Sequence, residues 1–265
     1  MLFKTRDGIF LHGRLAGCGR DLVIYAPGAG SNITDAEKWC EPLEDIYGYS
    51  TFSYDLRGFG CSEGSKFDFK NQLDDIMDVI DAAIAKMERR GKKPNKVILI
   101  GHSLGALACL NIGVKHPKVD IVFAISALYS IEDYLADEGK EDADNSLYSI
   151  GKKIIETLKK TLTPPWWFKK FIRLMSERSE NKTSFMPKYH LTENLMKKVY
   201  IIHGLNDEYI PYEKSGKKII ESFNLSRNRY LLVDTGHTFD GKIEEVLEWI
   251  NSKISNKKSF KFHIF

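Results

Sequence analysis

The stretch KVILIGHSLGALACLNIGVKH, residues 96–116, decides the fold that we predict for this chain. It begins with the continuously apolar run KVILI (96–100), which is typical of a central strand buried on both faces of a sheet. The pentapeptide GHSLG (101–105) follows at once, and the small-residue run ALACLNIGVKH (106–116) then predicts a helix. A buried strand that turns directly into a helix indicates a parallel α/β sheet.

The chain repeats this alternation of strand and helix on both sides of the central stretch. We predict strands at 2–6, 9–16, 22–26, 50–55, 96–100, 119–126, 197–204 and 229–234, with a tight hairpin turn at Asp7-Gly8. We predict helices at 35–47, 69–90, 106–116, 211–223 and 241–254. The fold class is therefore α/β, with a mostly parallel eight-stranded sheet and helices on both faces.

The alternation stops between residues 128 and 190. This segment holds an acidic stretch (137–144), a lysine-rich helical pattern and the aromatic cluster PPWWFKKF (164–171). We predict a core formed by residues 1–127 and 191–265, with 128–190 inserted as a helical cap or lid. Trp166 and Trp167 are candidate substrate contacts. They would also suit a lid that meets lipid, but a cap helix over the pocket is favoured because amphipathic helices mostly face a core.

Composition and charge exclude several classes of function. The chain carries 39 basic and 36 acidic residues among 265, a formal net charge of +3, whereas nucleic-acid-binding domains usually show a clustered basic face. No run approaches the ~20 apolar residues of a membrane span, and the first residues lack the pattern of a secretory signal. We therefore expect a cytoplasmic protein with no nucleic-acid partner and no stable membrane insertion.

The four cysteines, at positions 18, 40, 61 and 109, show no paired short spacing. Paired spacings are the usual mark of zinc sites and of disulfide frameworks. The sequence therefore predicts reduced thiols, with no metal and no other cofactor.

Ser103 is the candidate nucleophile. It is the centre of a G-x-S-x-G motif, which is weak evidence alone but strong evidence when a buried strand enters it and a helix leaves it. Gly101 and Gly105 are expected where side chains would collide with the neighbouring strand and helix. The serine hydroxyl then lies at the carboxyl end of the sheet, near a helix start that favours developing negative charge.

A serine hydroxyl needs an adjacent base, and His237 is the candidate. Among the seven histidines, it alone follows a late strand in the chain order Ser…Asp…His. Asp207 is the candidate for orienting its imidazole. Glu208 and Asp234 are rivals, but Glu208 would point away if Asp207 points in, and Asp234 suits a turn.

Two backbone N–H groups are candidates for the oxyanion hole that a tetrahedral intermediate needs. One belongs to Leu104, the residue after the nucleophile. The other belongs to Ala29, in the loop Pro27-Gly28-Ala29-Gly30-Ser31 after the third strand. Small residues let this backbone approach a substrate closely, so Gly28 is a candidate substrate contact as well.

These motifs together resemble a known family. The segments PGAGSN, DLRGFGCSEG (55–64), GHSLG, HGLND (203–207) and TGH (235–237) are similar to those of α/β-hydrolases, in the branch of monoacylglycerol lipases, feruloyl esterases and serine aminopeptidase-like hydrolases. The resemblance spans roughly residues 20–126 and 197–250 and implies the α/β-hydrolase fold. It also implies structural roles for Asp55, Arg57 and Ser62.

The chain departs from the family pattern at two places. Pro27-Gly28 stands where the family usually has His-Gly, and Cys61 stands where a small or polar residue is common. A backbone N–H serves as the oxyanion donor, so the first departure leaves Ala29 as the candidate. The inserted segment 128–190 matches no cap of the family, and the cap sets substrate choice.

The resemblance implies a serine hydrolase that cleaves small acyl esters, like a carboxylesterase or a monoacylglycerol lipase. The same triad would also serve an amidase or aminopeptidase, a thioesterase or an acyltransferase. Dehalogenases and epoxide hydrolases of this fold use an aspartate where Ser103 stands. A binding protein on a hydrolase scaffold is less favoured, because all three triad members are present.

Overall fold

The computed structural model describes residues 1–66, 68–130, 134, 170, 173 and 187–255. Within these residues eight strands form a single sheet. The strands are β1 (Leu2–Lys4), β2 (Phe10–Gly17), β3 (Leu22–Ala26), β4 (Ser50–Tyr54), β5 (Val97–His102), β6 (Ile121–Ile125), β7 (Val199–Gly204) and β8 (Tyr230–Val233). All eight predicted strands are confirmed, with their ends within two residues of the prediction.

The strand order across the sheet is β1-β2-β4-β3-β5-β6-β7-β8. From β4 to β8 in this order, neighbouring strands are parallel, whereas β2 is antiparallel to both β1 and β4. The predicted mostly parallel sheet is therefore confirmed. Because parallel strands end at the same edge, the loops that follow β3, β5, β7 and β8 lie on one side of the molecule.

Seven α-helices lie in the described residues. They are α1 (Ile33–Asp45), α2 (Phe69–Arg89), α3 (Leu104–Asn111), α4 (Pro187–His190), α5 (Glu193–Met196), α6 (Gly216–Ser222) and α7 (Ile243–Ile254). Helices α1 and α7 pack on one face of the sheet, and α2 and α3 pack on the other. The chain is thus a three-layer α/β structure with helices on both faces, as predicted.

The central strand β5 shows why its sequence is apolar throughout. Alternate side chains of a strand point to opposite faces of a sheet. Val97 and Leu99 pack with α2 and α3, whereas Ile98 and Ile100 pack with α1 and α7, and all four are buried. Both faces are covered along Val97–Ile100, which explains the continuously apolar sequence of this part of the strand.

Two predicted helices are shorter than the sequence suggested. Residues 211–223 divide into a 3-10 turn (Tyr212–Lys214) and helix α6, because Ser215 has φ −136° and ψ −77°, which is not helical. A Cβ at Gly216 would lie 2.6 Å from His203 Nδ1, so the glycine lets α6 approach β7 closely. Helix α3 likewise ends at Asn111 and continues as a 3-10 turn (Gly113–Lys115).

Most of the predicted cap, residues 128–190, lies outside the described residues, and so do its acidic stretch, Trp166 and Trp167. The cap and the domain boundaries therefore stay predictions. The described chain leaves the sheet after β6 and re-enters it through α4 and α5 before β7. In the ranges that the structure describes, no helix has the length and apolar character needed to cross a membrane.

Candidate active site

Ser103 lies on a strained turn between β5 and α3. Its backbone has φ 54° and ψ −114°, in a region that residues with a Cβ rarely adopt. Such a conformation costs on the order of 1–3 kcal/mol and persists only where the surroundings enforce it. Ser103 is also only 6% exposed, so this residue lies among packed neighbours at the edge of the sheet and not on an open loop.

The two glycines of the motif are required by close packing, as the sequence predicts. A Cβ on Gly105 would lie 2.0 Å from the carbonyl oxygen of Ala26, in the neighbouring strand β3. A Cβ on Gly101 would lie 2.5 Å from the carbonyl oxygen of Gly105. The Ser103 N–H donates to the carbonyl of Ile125 at 2.9 Å, which fixes the turn to the end of β6.

His237 and Asp207 form a buried pair in the loops after β8 and β7. The imidazole Nδ1 of His237 lies 2.9 Å from both carboxylate oxygens of Asp207. A carboxylate only accepts, so Nδ1 carries the proton and Nε2 of the neutral ring keeps its lone pair. Asp207 Oδ1 also accepts from the N–H groups of Tyr209 (3.0 Å) and Ile210 (2.8 Å), which hold the carboxylate in place.

The electrostatics of the pair keep Asp207 ionised. Burial raises the pKa of the Asp207 carboxyl, but the hydrogen bond from His237 and the nearby imidazoles outweigh burial, and the net pKa is lowered. An ionised carboxylate at this position stabilises a positive charge on the imidazole when the ring accepts a proton.

A second histidine, His203, lies behind Asp207. Its Nε2 donates to the carbonyl of Ile210 at 2.7 Å and lies 3.7 Å from Asp207 Oδ2. The ring is fully buried, and burial lowers its pKa, so it stays neutral. We assign His203 to local packing and hydrogen bonding.

His102 connects the serine turn to the His237 loop. Its ring lies 4.7 Å from the His237 ring, centroid to centroid, and its Nε2–H donates to the His237 carbonyl at 2.9 Å. Burial, together with the neighbouring His237, lowers the pKa of His102 to about 3, so the ring is neutral. The residue adjacent to Ser103 is therefore in direct contact with His237.

The contact between His102 and His237 was not predicted from the sequence. The alternation of side chains between the two faces of β5 could have indicated this contact. His102 shares a strand face with Ile98 and Ile100, the face covered by α1 and α7, and it stacks on Trp39 of α1 at 6.3 Å. The loop that carries His237 leads into α7 and so lies on the same side.

The two rival carboxylates, Glu208 and Asp234, form other hydrogen bonds. Glu208 does not simply point away, because its Oε2 accepts from the backbone N–H of His237 at 3.2 Å. Asp234 accepts from the side-chain amide of Asn206 at 2.6 Å, on the surface. Tyr209, between β7 and Ile210, packs its ring 4.9 Å from the His237 ring, on which His102 also packs. Asp207 is thus the carboxylate that meets the imidazole.

The loop after β3 lies beside the serine turn. A Cβ on Gly28 would lie 3.4 Å from Ser103 Cβ and 3.3 Å from His102 Nδ1, so this glycine is in contact with the turn. The Ser31 N–H donates to the Gly28 carbonyl at 3.1 Å and closes the loop around Ala29. The loop that carries Ala29 therefore lies against the serine turn, and an oxyanion hole formed by the N–H groups of Ala29 and Leu104 stays a prediction.

A family model described as "Serine aminopeptidase, S33" matches residues 17–184, which is more than half of the chain. The chain belongs to the serine aminopeptidase S33 family. The matched segment includes Ser103 and the loop after β3 but ends before Asp207 and His237.

Solved structures place this S33-family protein in the α/β-hydrolase fold, as predicted. It is similar to the ferulic acid complex of Est1E from Butyrivibrio proteoclasticus (18% identity, TM-score 0.61, covering 97% of this chain and 98% of that one). It is similar to the Pyrococcus furiosus esterase Pf2001 (18%, 0.65, 97% and 89%). It is also similar to MGS-M2 from a Medee basin deep-sea metagenome library (14%, 0.62, 100% and 100%). No curated protein matches the chain.

Proposed function

We propose that this S33-family protein hydrolyses carboxylic esters, with Ser103 as nucleophile, His237 as base and Asp207 as the orienting carboxylate. The observation that carries the proposal is the doubly bonded Asp207–His237 pair, whose imidazole packs against the residue next to a strained serine. The hydrogen bonds to Asp207 orient the imidazole with its proton on Nδ1, so that Nε2 is the nitrogen that can accept a proton from a hydroxyl.

The reaction is two-step acyl transfer. Ser103 Oγ attacks the ester carbonyl carbon while His237 Nε2 takes its proton, and the N–H groups of Ala29 and Leu104 bind the oxyanion. The alcohol leaves with the proton from His237, and Ser103 retains the acyl group. Water, deprotonated by His237, then releases the acid and restores the serine. The residues proposed for these steps call for no cofactor, and residues 128–190 are proposed as the cap over the acyl group.

Substituting the nucleophile tests the proposal. We expect Ser103→Ala to lower turnover of p-nitrophenyl esters by a factor of roughly 10⁴ or more, because removal of the nucleophile disables the whole triad. Ser252→Ala, on the far helix α7, is the matched control and should keep wild-type turnover. Thermal melts verify that both variants fold. If folded Ser103→Ala kept wild-type turnover, the assignment would be overturned.

An aminopeptidase is the second candidate, because the matching family model carries that description. An aminopeptidase needs a carboxylate available to the substrate ammonium group. Among the described residues, Asp207 and Glu208 are both bonded to His237, so we propose neither of them as that carboxylate. Turnover of p-nitrophenyl esters of graded chain length should exceed turnover of aminoacyl p-nitroanilides. If the aminoacyl p-nitroanilides were turned over faster than the esters, an amide would be the substrate instead of an ester. Thioesters and other acyl acceptors can be tested in the same panel.

A further inference from the structure

A second cluster of chemically active side chains lies beside β2, one strand in from the β1 edge of the sheet. His12 of β2, Asp55 directly after β4 and Cys61 in the following loop each place a potential ligand atom within 4.8 Å of the other two. Among the residues that the structure describes, no other group of three histidine, cysteine or carboxylate side chains is as close. The proposed esterase mechanism uses none of these three side chains.

We propose that Cys61, His12 and Asp55 bind a divalent transition-metal ion of the zinc class. A thiolate, an imidazole and a carboxylate are the ligands that zinc prefers. The His12 Nδ1 to Asp55 Oδ2 separation is 3.0 Å, near the roughly 3.3 Å between two ligand atoms on a tetrahedral zinc ion. The fourth position is filled by water.

The pair His12–Asp55 is already arranged for chelation. His12 Nδ1–H donates to Asp55 Oδ2, and the metal takes the place of that proton, which moves to Nε2 of the ring. The His12 side chain is 33% exposed, so Nε2–H is solvated there. Cys61 is exposed and releases its thiol proton to solvent as the sulfur binds.

The carboxylate of Asp55 is held firmly enough to act as a ligand. Its Oδ1 accepts from the Ile33 N–H at 2.8 Å, and its Oδ2 accepts from the Cys61 N–H at 2.9 Å. A carboxylate has about four lone-pair sites, so both bonds persist when the metal replaces the His12 proton. The hydrogen bonds from the two backbone N–H groups orient the Asp55 carboxylate, as supporting hydrogen bonds orient the ligands of other metal sites.

The sequence analysis predicted no metal, because the cysteines lack paired spacing. Here the ligands are 43 and 6 residues apart, and only the pairing of β2 with β4 joins them. Ser62 strengthens the junction, since its Oγ accepts from the His12 N–H and donates to the Asp55 carbonyl. Cys61 is also where the chain departs from the pattern that it resembles.

Cobalt(II) titration of the untagged full-length protein tests the proposal. Wild type should bind one Co²⁺ and develop a thiolate-to-metal charge-transfer band. Added Zn²⁺ should displace the Co²⁺ and so remove the band. Cys61→Ser should abolish the band and weaken Zn²⁺ binding by at least about tenfold, the order of effect seen even for supporting residues of metal sites. His12→Gln should weaken Zn²⁺ binding by a similar factor.

Two matched controls isolate the site. Cys18 is the other exposed cysteine, and His116 pairs with Asp81 at 3.1 Å. Cys18→Ser and His116→Gln should bind Co²⁺ and Zn²⁺ as wild type does. Zn²⁺ should also raise the melting temperature of wild type but not of Cys61→Ser, because a ligand of the folded state stabilises it. The absence of a wild-type band, or a wild-type band in Cys61→Ser, would overturn the proposal.

Discussion

Two regions of this molecule combine a nucleophilic side chain, a histidine and an aspartate, and their surroundings differ. At the carboxyl edge of the sheet, Ser103, His237 and Asp207 are each at most 7% exposed. Beside β2, Cys61 is exposed and His12 is partly exposed, whereas Asp55 is buried. We propose that the two groups serve different chemistry: the buried His237–Asp207 pair orients a base, whereas Cys61 and His12, together with the buried Asp55, offer ligands to an ion.

The backbone adds to the difference. Ser103 lies on a turn with positive φ between a strand and a helix, and the loop of Gly28 lies against it. The Asp55 carboxylate instead accepts two backbone N–H groups and holds the start of α1. We infer that a catalytic constellation needs the strained turn and the adjacent donors, and that three reactive side chains alone do not make one.

The largest expected contrast concerns the carboxylates. Asp207→Asn should lower kcat for p-nitrophenyl esters by about 10⁴-fold, because an amide favours the wrong imidazole tautomer. Asp81→Asn, an exposed carboxylate paired with the buried His116, should leave kcat unchanged. Steady-state kinetics of both variants check this. If Asp207→Asn lost less than about tenfold, the buried pair would have no special role.

A smaller effect is expected at two glycines: substitution of one should mainly lower stability, and substitution of the other should mainly lower turnover. A Cβ on Gly60 would lie 2.4 Å from the Asp55 carboxylate, so Gly60→Ala should lower the free energy of unfolding by about 2–4 kcal/mol. Gly28→Ala meets atoms only at 3.3–3.4 Å and should lose about 1 kcal/mol or less, with turnover reduced more than stability.

Urea denaturation and ester kinetics on both glycine variants measure the two effects. Gly91→Ala is the control, since its φ is +74° and no atom lies within 4 Å of the new Cβ. Gly91→Ala should lower the free energy of unfolding by about 1–2 kcal/mol, because only the strain of the left-handed backbone is added. Equal stability losses at Gly60 and Gly91 would contradict the close packing against Asp55.

The smallest expected effect concerns His102, a positioning residue. His102→Phe keeps a ring but removes the donor to the His237 carbonyl, a bond worth about 1 kcal/mol. We expect kcat to fall about five- to tenfold with KM unchanged, and His102→Gln, which can restore the donor, to recover part of it. A change in KM alone would indicate a substrate contact instead.

Much of the fold was predictable because the decisive signals are local. The apolar strands and the glycine-flanked serine identify β5, its turn and the sheet around it. The division of residues 211–223 was not predictable, because it depends on how closely Gly216 approaches His203. The candidate triad followed from strand ends and chain order. The contact of His102 with His237 and the grouping of Cys61 with His12 depend on which strand faces and neighbours meet in space.

We propose that Ser103 is activated by the His237–Asp207 pair. Labelling with a fluorophosphonate probe, followed by peptide mass spectrometry, tests it most directly. We predict one label per chain, on Ser103, with labelling strongly slowed in His237→Gln. An unlabelled protein, a label on another residue, or unchanged labelling in His237→Gln would contradict the claim.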